Sequence, residues 1–501
     1  MHRSNPEYKK LDKKFKKMLN NLKNQYHADE ARAINSYAEA RNIERAFRRM
    51  RAEALDDVPS SGCDTKKLRD HFKKHLTCDT SKPTPESLYD NPPEFLQSLL
   101  TISEHHQINI APPSAPEIKQ VLSKFKNGKA ANDIPPEPLK YARNSKRFLD
   151  ELTSVLNEIW TTSTVPKTWG LARLTCLFKN KGSRKDPKMY RGLSVSSSLC
   201  KLAVCIILSR QNGWYEAQLS EPQHGFRANR GTQDAILTFK SLQQISSRMK
   251  TKVYCAFVDL TAAFDTIQRP WLFKILRSRL GDPDNSNNNI NVLEALYNST
   301  SAHIAEDEVS LAFELLAGVR QGGPESPSLF CLLMDWVMRI FELRAAKIGL
   351  KGVKLKYRIP GPAMNRAERA ACPMAGELEL LWAGFADDIG LVFDNEADLK
   401  TGLNLLTDVF KEFDLHLSEG KTETMILNDE RDPENIHTIN GVDLKNVKIF
   451  KYLGSKINYN QPSTGDTEVE FRIELAKCKF ESIKYILCKQ KIHMWIRKLI
   501  D

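Results

Sequence analysis

Two apolar segments that carry aspartates constrain the fold of this chain more than any other feature. The first, Val253–Val258, is followed directly by Asp259. The second spans 378–393 and has apolar residues on both sides of Asp387 and Asp388. Short apolar runs with β-branched residues are typical of buried strands, and two runs around a short polar turn form a hairpin. The sequence therefore predicts a strand that ends at Asp259 and a β-hairpin with the acidic pair at its tip.

These three aspartates are candidates for a divalent-metal site. Neighbouring carboxylates raise one another's pKa and apolar surroundings add to that cost, whereas a divalent cation relieves it. Mg²⁺ prefers oxygen ligands and commonly binds through one or two carboxylates together with substrate phosphates. Two such ions about 3.5–4 Å apart support nucleotidyl transfer, one at the attacking 3′-hydroxyl and one at the leaving pyrophosphate. The alternative is that Asp387 and Asp388 form an ordinary acidic turn that faces solvent.

The charge of the chain favours a polyanionic partner. Its 501 residues include 74 Lys and Arg and 62 Asp and Glu, which gives a formal net charge of +12. Such a balance is typical of proteins that bind nucleic acid or an anionic surface. The N-terminus lacks an apolar signal core, and the most apolar stretch, at 329–334, is too short to cross a membrane. We therefore expect no membrane partner and a nuclear or cytoplasmic protein that is not secreted.

Composition and periodicity divide the chain into four segments. Residues 1–76 are basic and have apolar residues at helical spacing, which predicts a helical N-terminal extension. The basic face of this extension either is simply solvated or binds RNA or DNA. Residues 77–115 are rich in Pro, Ser and Thr, as linkers are. Helix and strand patterns alternate over 116–455, and 456–501 is again helical in pattern.

An ordered series of motifs resembles the reverse transcriptases of non-LTR (LINE-type) retrotransposons over roughly residues 117–480. In chain order the motifs are 124–133 with 136–140, 169–182, 190–194, 223–227 with 231–235, 259–265, 318–327, 385–388, 420–423 and 450–455. Each motif alone is weak, but their order and spacing together are specific. The resemblance implies an α+β right-hand polymerase fold with fingers and palm at 116–455 and a partial helical thumb at 456–501.

The resemblance also implies the residues that bind the metal ions and help the pyrophosphate to leave. Asp259, Asp387 and Asp388 would be the catalytic acids that bind Mg²⁺, with Mn²⁺ as the alternative ion. Lys421 would act as the general acid that protonates pyrophosphate, a contribution of about 10²–10⁴-fold in such reactions. The alternative is that Lys421 is an ordinary solvent-exposed lysine with no catalytic role.

Nucleotide contacts are implied by three further motifs. Lys179 and Arg191 would bind the triphosphate as a point charge and a bidentate fork, unless they are ordinary surface charges. Phe264 would pack against the sugar and exclude a 2′-hydroxyl, unless it is a core aromatic. Gln321 and Gly322 would contact the nucleotide and the template, because glycine allows a close backbone approach.

Two departures and one further motif complete the comparison with that family. Members of that family often have Asp where this chain has Gly323, and Leu where it has Glu325. These differences affect the details of that loop. A hairpin would form the primer grip, or serve only as a structural hairpin, and its residues are Phe450, Tyr452, Leu453 and Gly454.

The implied function is RNA-directed DNA polymerisation with an RNA template, a DNA primer and dNTPs as partners. No endonuclease pattern is found, so we expect a nuclease to be supplied elsewhere or to be missing. The chain stops within what resemble the first thumb helices, so the alternative is a truncated, inactive relic that binds nucleic acid. A third hypothesis, an RNA-templated RNA polymerase, is disfavoured by Phe264 and by the sequence Phe385-Ala386 before the acidic pair.

Overall fold

Helices pack around two main sheets in an α+β architecture, as the sequence predicts. The computed structural model describes residues 62–77, 108–282, 284–305, 311–357, 376–430, 437–459, 469–478 and 480–481. Most of the predicted extension at 1–76, linker at 77–115 and partial thumb at 456–501 lies outside these described residues. Contacts divide the chain into one unit, Cys63–Val469, and a second unit of Met1–Gly62 with Glu470–Asp501. The helices and strands with assigned bounds lie in the first unit.

The helices differ widely in length and burial. They are α1 (Thr65–Leu76), α2 (Ala115–Ser123), α3 (Pro136–Ala142), α4 (Lys146–Thr162), α5 (Lys167–Gly170), α6 (Ser198–Gln218), α7 (Thr232–Met249), α8 (Ala263–Thr266), α9 (Arg269–Leu280), α10 (Asn288–Asn298), α11 (Ser326–Lys347) and α12 (Glu396–Glu412), with a 3-10 turn at Pro187–Met189. The apolar stretch 329–334 lies inside α11 and is buried in the core. None of the helices that the structure describes has the length and apolar content to cross a lipid bilayer.

The strands form two larger sheets and three two-stranded ribbons. They are β1 (Leu171–Phe178), β2 (Tyr190–Val195), β3 (Val253–Val258), β4 (Ser301–Ile304), β5 (Phe313–Glu314), β6 (Val353–Tyr357), β7 (Gly376–Leu380), β8 (Trp382–Phe385), β9 (Asp388–Phe393), β10 (Glu423–Leu427), β11 (Thr438–Ile439), β12 (Val442–Asp443), β13 (Lys445–Asn446), β14 (Ile449–Tyr452) and β15 (Ser455–Asn458). The two-stranded ribbons pair β6 with β7, β11 with β12 and β14 with β15.

The five-stranded sheet has the order β13-β10-β3-β9-β8, with the predicted strand β3 in its centre. Alternate residues of β3 enter two different cores. Ala256 and Val258 pack with α11 and α12, whereas Cys255 and Phe257 pack with α7 and the β14–β15 hairpin. Because both faces are covered, β3 is apolar throughout instead of alternating with polar residues.

The four-stranded sheet has the order β2-β1-β4-β5 and contacts α1 on one face. Phe72 of α1 lies directly under β2, where a Cβ on Gly192 would come within 2.9 Å of the Phe72 ring. Leu68 and Phe72 share a buried cluster with Leu174 and Ile304 of the sheet. Helix α1, which the sequence analysis placed in the N-terminal extension, therefore belongs to the same packed unit as β1 and β2.

Candidate active site

Three aspartates meet at one edge of the five-stranded sheet. Strands β3 and β9 are antiparallel neighbours in which Val258 pairs with Ile389. Asp259 follows Val258 and Asp388 precedes Ile389, so the register brings these two residues together where both strands meet the edge. Asp387 lies in the turn between β8 and β9, one residue before Asp388. The predicted strand and acidic hairpin are therefore confirmed.

The hairpin itself is shorter than the 378–393 pattern suggested. Phe385 pairs with Asp388, so the loop consists of Ala386 and Asp387 alone. Residues 378–380 belong instead to β7, which pairs with β6 in a separate ribbon. Ala386 has a φ of 58°, a left-handed conformation that costs an L-residue about 1 kcal/mol or more. A tight two-residue turn requires such a conformation, because it reverses the chain between strands that twist to the right.

Burial and mutual repulsion make the acidic edge costly in the free protein. Burial raises the pKa of Asp387, and the negative charge of Asp259 raises it further. Burial also raises the pKa of Asp388, to about 6, with additional contributions from the charges of Asp387 and Asp259. These causes indicate that the three carboxylates are close enough to repel one another.

Lys421 contacts this acidic edge directly. Its ammonium donates to the Oδ1 atom of Asp259 at 2.7 Å. A turn positions the lysine, because the amides of Lys421 and Thr422 both donate to the carbonyl of Ser418. Ser418 is itself fixed beside the site, since its own amide donates to the carbonyl of Asp259 at 2.8 Å. The site thus pairs one exposed cation with three half-buried carboxylates.

Lys179 and Arg191 approach the same site from the four-stranded sheet. Lys179 follows the end of β1 and Arg191 lies on β2, where Arg191 pairs with Leu177. Burial lowers the pKa of Lys179, and the charges of Arg191 and Lys181 lower it further. The charge of Arg191 also reaches Asp387, where it offsets a small part of the rise in pKa that burial causes. Arg191 therefore lies within electrostatic reach of the acidic edge, whereas the Lys179 ammonium donates to the Lys188 carbonyl at 2.7 Å and lies nearer Asp265.

Phe264 lies in a group of aromatic rings next to the acids. It stacks on Phe330 with ring centroids 4.2 Å apart and an interplanar angle of 9°. The ring of Phe226 meets Phe264 edge-on at 6.5 Å and also contacts Phe385 at 6.0 Å. Phe226 is 45% exposed and has a φ of 55°. A bulky residue at positive φ is uncommon, and such strain is concentrated at functional sites.

Gln321 connects the loop after β5 to the acidic segment and to β2. Its Nε2 atom donates to Asp265 at 2.8 Å, and its carbonyl accepts from Ser194 at 2.7 Å. Gly322 is exposed and has a φ of 106°. A Cβ there would lie 2.9 Å from a methyl of Leu193, so both its conformation and its space require glycine.

The two departures from the family pattern lie in the same loop. Glu325 is 1% exposed, and its Oε1 accepts from both Nε and Nη2 of Arg320, at 3.0 and 2.8 Å. The hydroxyl of Tyr297 donates to the same oxygen at 3.1 Å. A Cβ on Gly323 would come within 2.7 Å of that carboxylate. The two residues are thus compatible with each other: the glycine leaves room for the buried glutamate.

The predicted primer-grip hairpin is β14–β15, and its aromatic residues face inward. Phe450 stacks on Phe257 of the five-stranded sheet at 4.0 Å, and Tyr452 is 3% exposed. The Tyr452 hydroxyl donates to the carbonyl of Asp388 at 3.2 Å. Leu453 and Gly454 form the turn at the tip, with φ of 48° and 86°, and both are half-buried. The hairpin therefore packs under the acidic edge through its aromatic side chains.

Sequence reasoning assigned no role to Gln223, although it quoted the motif that contains it. Gln223 is 1% exposed, and its Oε1 accepts from the amides of Ala386 at 2.9 Å and Gly225 at 2.8 Å. A long-range side-chain contact to a backbone amide leaves no periodic signal in the sequence. The sole hint was the position of Gln223 within the motif at 223–227.

A model of the reverse transcriptase (RNA-dependent DNA polymerase) family matches residues 179–457, more than half of the chain. The RNA-directed DNA polymerase from mobile element jockey of Drosophila funebris is 23% identical over 405 residues, 75% of this chain and 40% of that protein. The probable RNA-directed DNA polymerase from transposon X-element of Drosophila melanogaster is 28% identical over 245 residues, 48% of this chain and 26% of that protein.

A third relative is the retrovirus-related Pol polyprotein from type-2 retrotransposable element R2DM of Drosophila melanogaster. It is 26% identical over 260 residues, which are 52% of this chain and 21% of that protein. The chain thus spans less than half the length of the relatives it matches. The matched region 179–457 includes the acidic edge, Lys179 and Arg191, and all but the last residue of the β14–β15 hairpin. The chain belongs to the reverse transcriptase (RNA-dependent DNA polymerase) family.

Proposed function

We propose that this chain catalyses RNA-directed DNA synthesis as the reverse transcriptase of a non-LTR retrotransposon. The observation that carries the proposal is the convergence of Asp259, Asp387 and Asp388 at one sheet edge, with Lys421 bound to Asp259 and the charge of Arg191 within reach of Asp387. Carboxylates bind the metal ions of a phosphoryl-transfer site, and cations bind its phosphates. RNA template, DNA primer and dNTPs are the partners in this proposal, with any endonuclease supplied by another domain or protein.

We assign the five-stranded sheet with α7, α11 and α12 to the palm, and the four-stranded sheet with α1 to the fingers. The assignment is supported by chemistry, since the acids lie on the first sheet and the phosphate-facing cations on the second. The segment 456–501 remains our candidate for a partial thumb, and 1–76 for a basic extension with 77–115 as its linker.

Mg²⁺ is the ion that best fits the donor set, with Mn²⁺ as the substitute. Among the described residues there is no ready-made cluster of three or more metal-ligating side chains. Asp259, Asp387 and Asp388 offer oxygen donors alone, which Mg²⁺ prefers, and Mg²⁺ commonly binds through one or two carboxylates and completes its shell with water and substrate phosphates. Burial, with a further contribution from neighbouring carboxylates, raises the pKa values of Asp387 and Asp388, and a bound cation would relieve this cost of ionising them. When bound, the ions would activate the primer 3′-hydroxyl and stabilise the pyrophosphate.

The remaining side chains would bind and orient the nucleotide. Lys179 and Arg191 would contact the triphosphate, and Phe264, backed by Phe330, would pack against its sugar. Gln321 would present its free amide oxygen to the nucleotide, because its Nε2 atom already donates to Asp265. Template and nucleotide would pass over Gly322, where no side chain intervenes.

Lys421 would serve as the general acid. In the free protein its ammonium binds Asp259. If Asp259 instead holds a metal ion, the Lys421 ammonium would be available to donate a proton to the leaving pyrophosphate. The turn formed by Leu453 and Gly454 would contact the primer, with Phe450 and Tyr452 fixing that turn against the sheet.

The test is extension of a DNA primer on an RNA template with dNTPs and Mg²⁺. The variant Asp387→Asn with Asp388→Asn should lose about 10³-fold or more in rate, because charge stabilisation by metal ions contributes several kcal/mol. Asp150→Asn with Glu151→Gln is the matched control, since these adjacent acids are exposed on α4.

Two results would overturn the proposal. If the wild type binds primer–template without extending it, the chain is an inactive relic. If the double variant at 387 and 388 extends as fast as the control, the acids are not catalytic. No feature of the described site favours the relic.

A further inference from the structure

We propose that Gln223 is a positioning residue that fixes the turn carrying Asp387 in the conformation needed for metal binding. The inference rests on the proposed function, because it gives Gln223 a task in nucleotidyl transfer. Gln223 does not contact the reacting atoms in this proposal. It acts through the backbone of Ala386, which immediately precedes the metal-binding pair.

The Gln223 amide binds both backbone groups of Ala386. Its Oε1 atom accepts from the Ala386 amide at 2.9 Å, and its Nε2 atom donates to the Ala386 carbonyl at 3.5 Å. Ala386 is the residue with positive φ in the two-residue turn. A side chain that satisfies both groups of a strained residue favours that conformation over the extended alternatives.

The backbone around Gln223 forms a further strand-like contact with the hairpin. Gln223 and Gly384 form an isolated parallel β-bridge. In it the Gly384 amide donates to the Pro222 carbonyl at 2.9 Å, and the His224 amide donates to the Gly384 carbonyl at 2.8 Å. Gly225 then passes so close that a Cβ there would lie 2.3 Å from the Ala386 nitrogen. The segment 222–225 thus follows the hairpin from β8 to its tip.

A buried ionic network anchors the segment on its N-terminal side. The backbone amide and the hydroxyl of Ser220 both donate to Oδ1 of Asp335. The hydrogen bond from the backbone amide is 2.8 Å long. Asp335 is fully buried on α11 and pairs with Arg279 at 2.8 Å and Arg339 at 2.7 Å. Ser220, three residues before Gln223, is therefore bound to α11, so the segment that carries Gln223 has an attachment that does not depend on the hairpin.

This arrangement explains how a turn of only two residues, Ala386 and Asp387, can be accurate enough for catalysis. A displacement of about 1 Å at a reacting centre can cost on the order of 10²-fold in rate. Loss of the Gln223 contacts would leave Ala386 free to relax its positive φ, and Asp387 would turn with it. Partners behind metal ligands typically change metal affinity by about 10–100-fold when removed.

The first experiment is independent of catalysis. Gln223→Met keeps nearly the same volume but removes both contacts to Ala386. We expect hydrogen exchange of the amides at 382–389 to accelerate about fivefold or more in this variant, because the loss of even one hydrogen bond of average strength corresponds to about that factor. Gln243→Met is the matched control, since Gln243 is also a buried glutamine whose amide donates to a backbone carbonyl, that of Asn458 in β15.

The second experiment measures metal binding and the steady-state constants. Mn²⁺ affinity of the complex with primer–template and a non-hydrolysable dNTP analogue is followed by electron paramagnetic resonance. We expect Gln223→Met to raise the Kd for Mn²⁺ about tenfold or more. With dNTPs, kcat should fall about 10–100-fold while the KM for dNTP is unchanged, since the substrate contacts remain. Gln243→Met should change neither quantity, although it should lower thermal stability.

A glycine pair supplies an independent route if Gln223→Met does not fold. Gly225→Ala places a methyl group against the Ala386 nitrogen, whereas Gly231→Ala meets no atom within 4 Å. We expect Gly225→Ala to accelerate exchange at 382–389 and Gly231→Ala to leave it unchanged. Unchanged exchange in Gly225→Ala would overturn the proposal.

The outcomes separate this proposal from the proposed function. If Gln223→Met and Gln243→Met alter exchange, Mn²⁺ affinity and kcat alike, Gln223 is merely structural and the inference fails. If the wild type does not extend a primer but Gln223→Met still accelerates exchange and weakens Mn²⁺ binding, the proposed function fails and the positioning role stands.

Discussion

Asp265 is enclosed between the loop after β5 and the end of β1, six positions after the catalytic candidate Asp259. Burial raises its pKa to about 6, and neither the hydrogen bond from Gln321 nor the charge of Lys179 offsets that effect. The Asp265 carboxylate accepts a hydrogen bond from the Gln321 side chain, and the amide oxygen of an asparagine at this position could accept the same bond. We infer that its charge costs stability at neutral pH and that its role is to orient Gln321.

Asp265→Asn should therefore stabilise the protein above about pH 6. The folded pKa lies above the unfolded value of 3.8, so the folded state retains a proton that the unfolded state releases as pH rises from about 4 to about 6. Wild-type stability falls over that window, and the Asp265→Asn substitution removes the loss. We expect a gain on the order of 2 kcal/mol at pH 8 that vanishes below about pH 4.

Thermal and urea unfolding across this pH range measure the effect. Asp150→Asn serves as the control because Asp150 is exposed on α4, and it should give no pH-dependent gain. A stability difference between Asp265→Asn and wild type that stays constant from pH 4 to pH 8 would contradict the assigned cause.

At the scale of elements, a buried ion pair joins α9 to α11. Arg279 and Asp335 are both fully buried, and Arg339 adds a second cation to the same carboxylate. The charges of Arg279 and Arg339 outweigh burial and lower the pKa of Asp335. Removing one member of a buried ion pair leaves its partner uncompensated, which is costly even where the intact pair adds little.

Asp335→Ala should destabilise the protein by about 3–5 kcal/mol, because two arginines and the Ser220 groups lose their acceptor. Chemical denaturation of the purified variant measures the loss. Glu151→Ala is the control: it removes an ion pair with Arg147 in which the side chains are 66% and 90% exposed. Such pairs contribute about 0–1 kcal/mol. Equal losses in the two variants would show that the network around Asp335 is not a structural anchor.

Local pattern predicted the elements that depend on neighbouring residues alone. The strand Val253–Val258 and the acidic turn were predictable, because a short apolar run that ends in an acid indicates a strand from neighbouring residues alone. The division of 378–393 into β7 and the β8–β9 hairpin was not, because it depends on pairing with β6. The contact of 222–225 with β8 joins segments about 160 residues apart, and local periodicity carries no information on such pairings.

The same limit applies to single side chains. Resemblance predicted Phe450 and Tyr452 as primer-grip residues, but their burial against Phe257 depends on packing between the hairpin and the five-stranded sheet. The ion pair between Lys421 and Asp259 likewise joins residues 162 positions apart. Their assignment to catalysis stays a prediction, whereas their proximity is a property of the fold.

At the scale of the whole molecule, cations near the four-stranded sheet approach the acidic edge of the five-stranded sheet, and the charge of Arg191 reaches Asp387. The acidic edge belongs to the five-stranded sheet and the cations Lys179 and Arg191 to the four-stranded sheet. A nucleotide triphosphate with bound metal ions has the complementary arrangement, since its phosphates meet the cations and its metals meet the acids. In the free protein that complementarity is missing, and Asp387 and Asp388 retain raised pKa values.

Mg²⁺ should therefore stabilise the free protein, and the stabilisation should depend on the acidic edge. One bound ion contributes about 1.4 kcal/mol at a concentration about ten times its Kd. The variant Asp387→Asn with Asp388→Asn should unfold at a higher temperature than the wild type without Mg²⁺, because repulsion and burial of charge are removed. It should also lose the response to Mg²⁺, which Asp150→Asn with Glu151→Gln should retain. Thermal unfolding across a Mg²⁺ titration at constant ionic strength decides the matter: an equal response in all three proteins would place the binding of the ion away from the sheet edge.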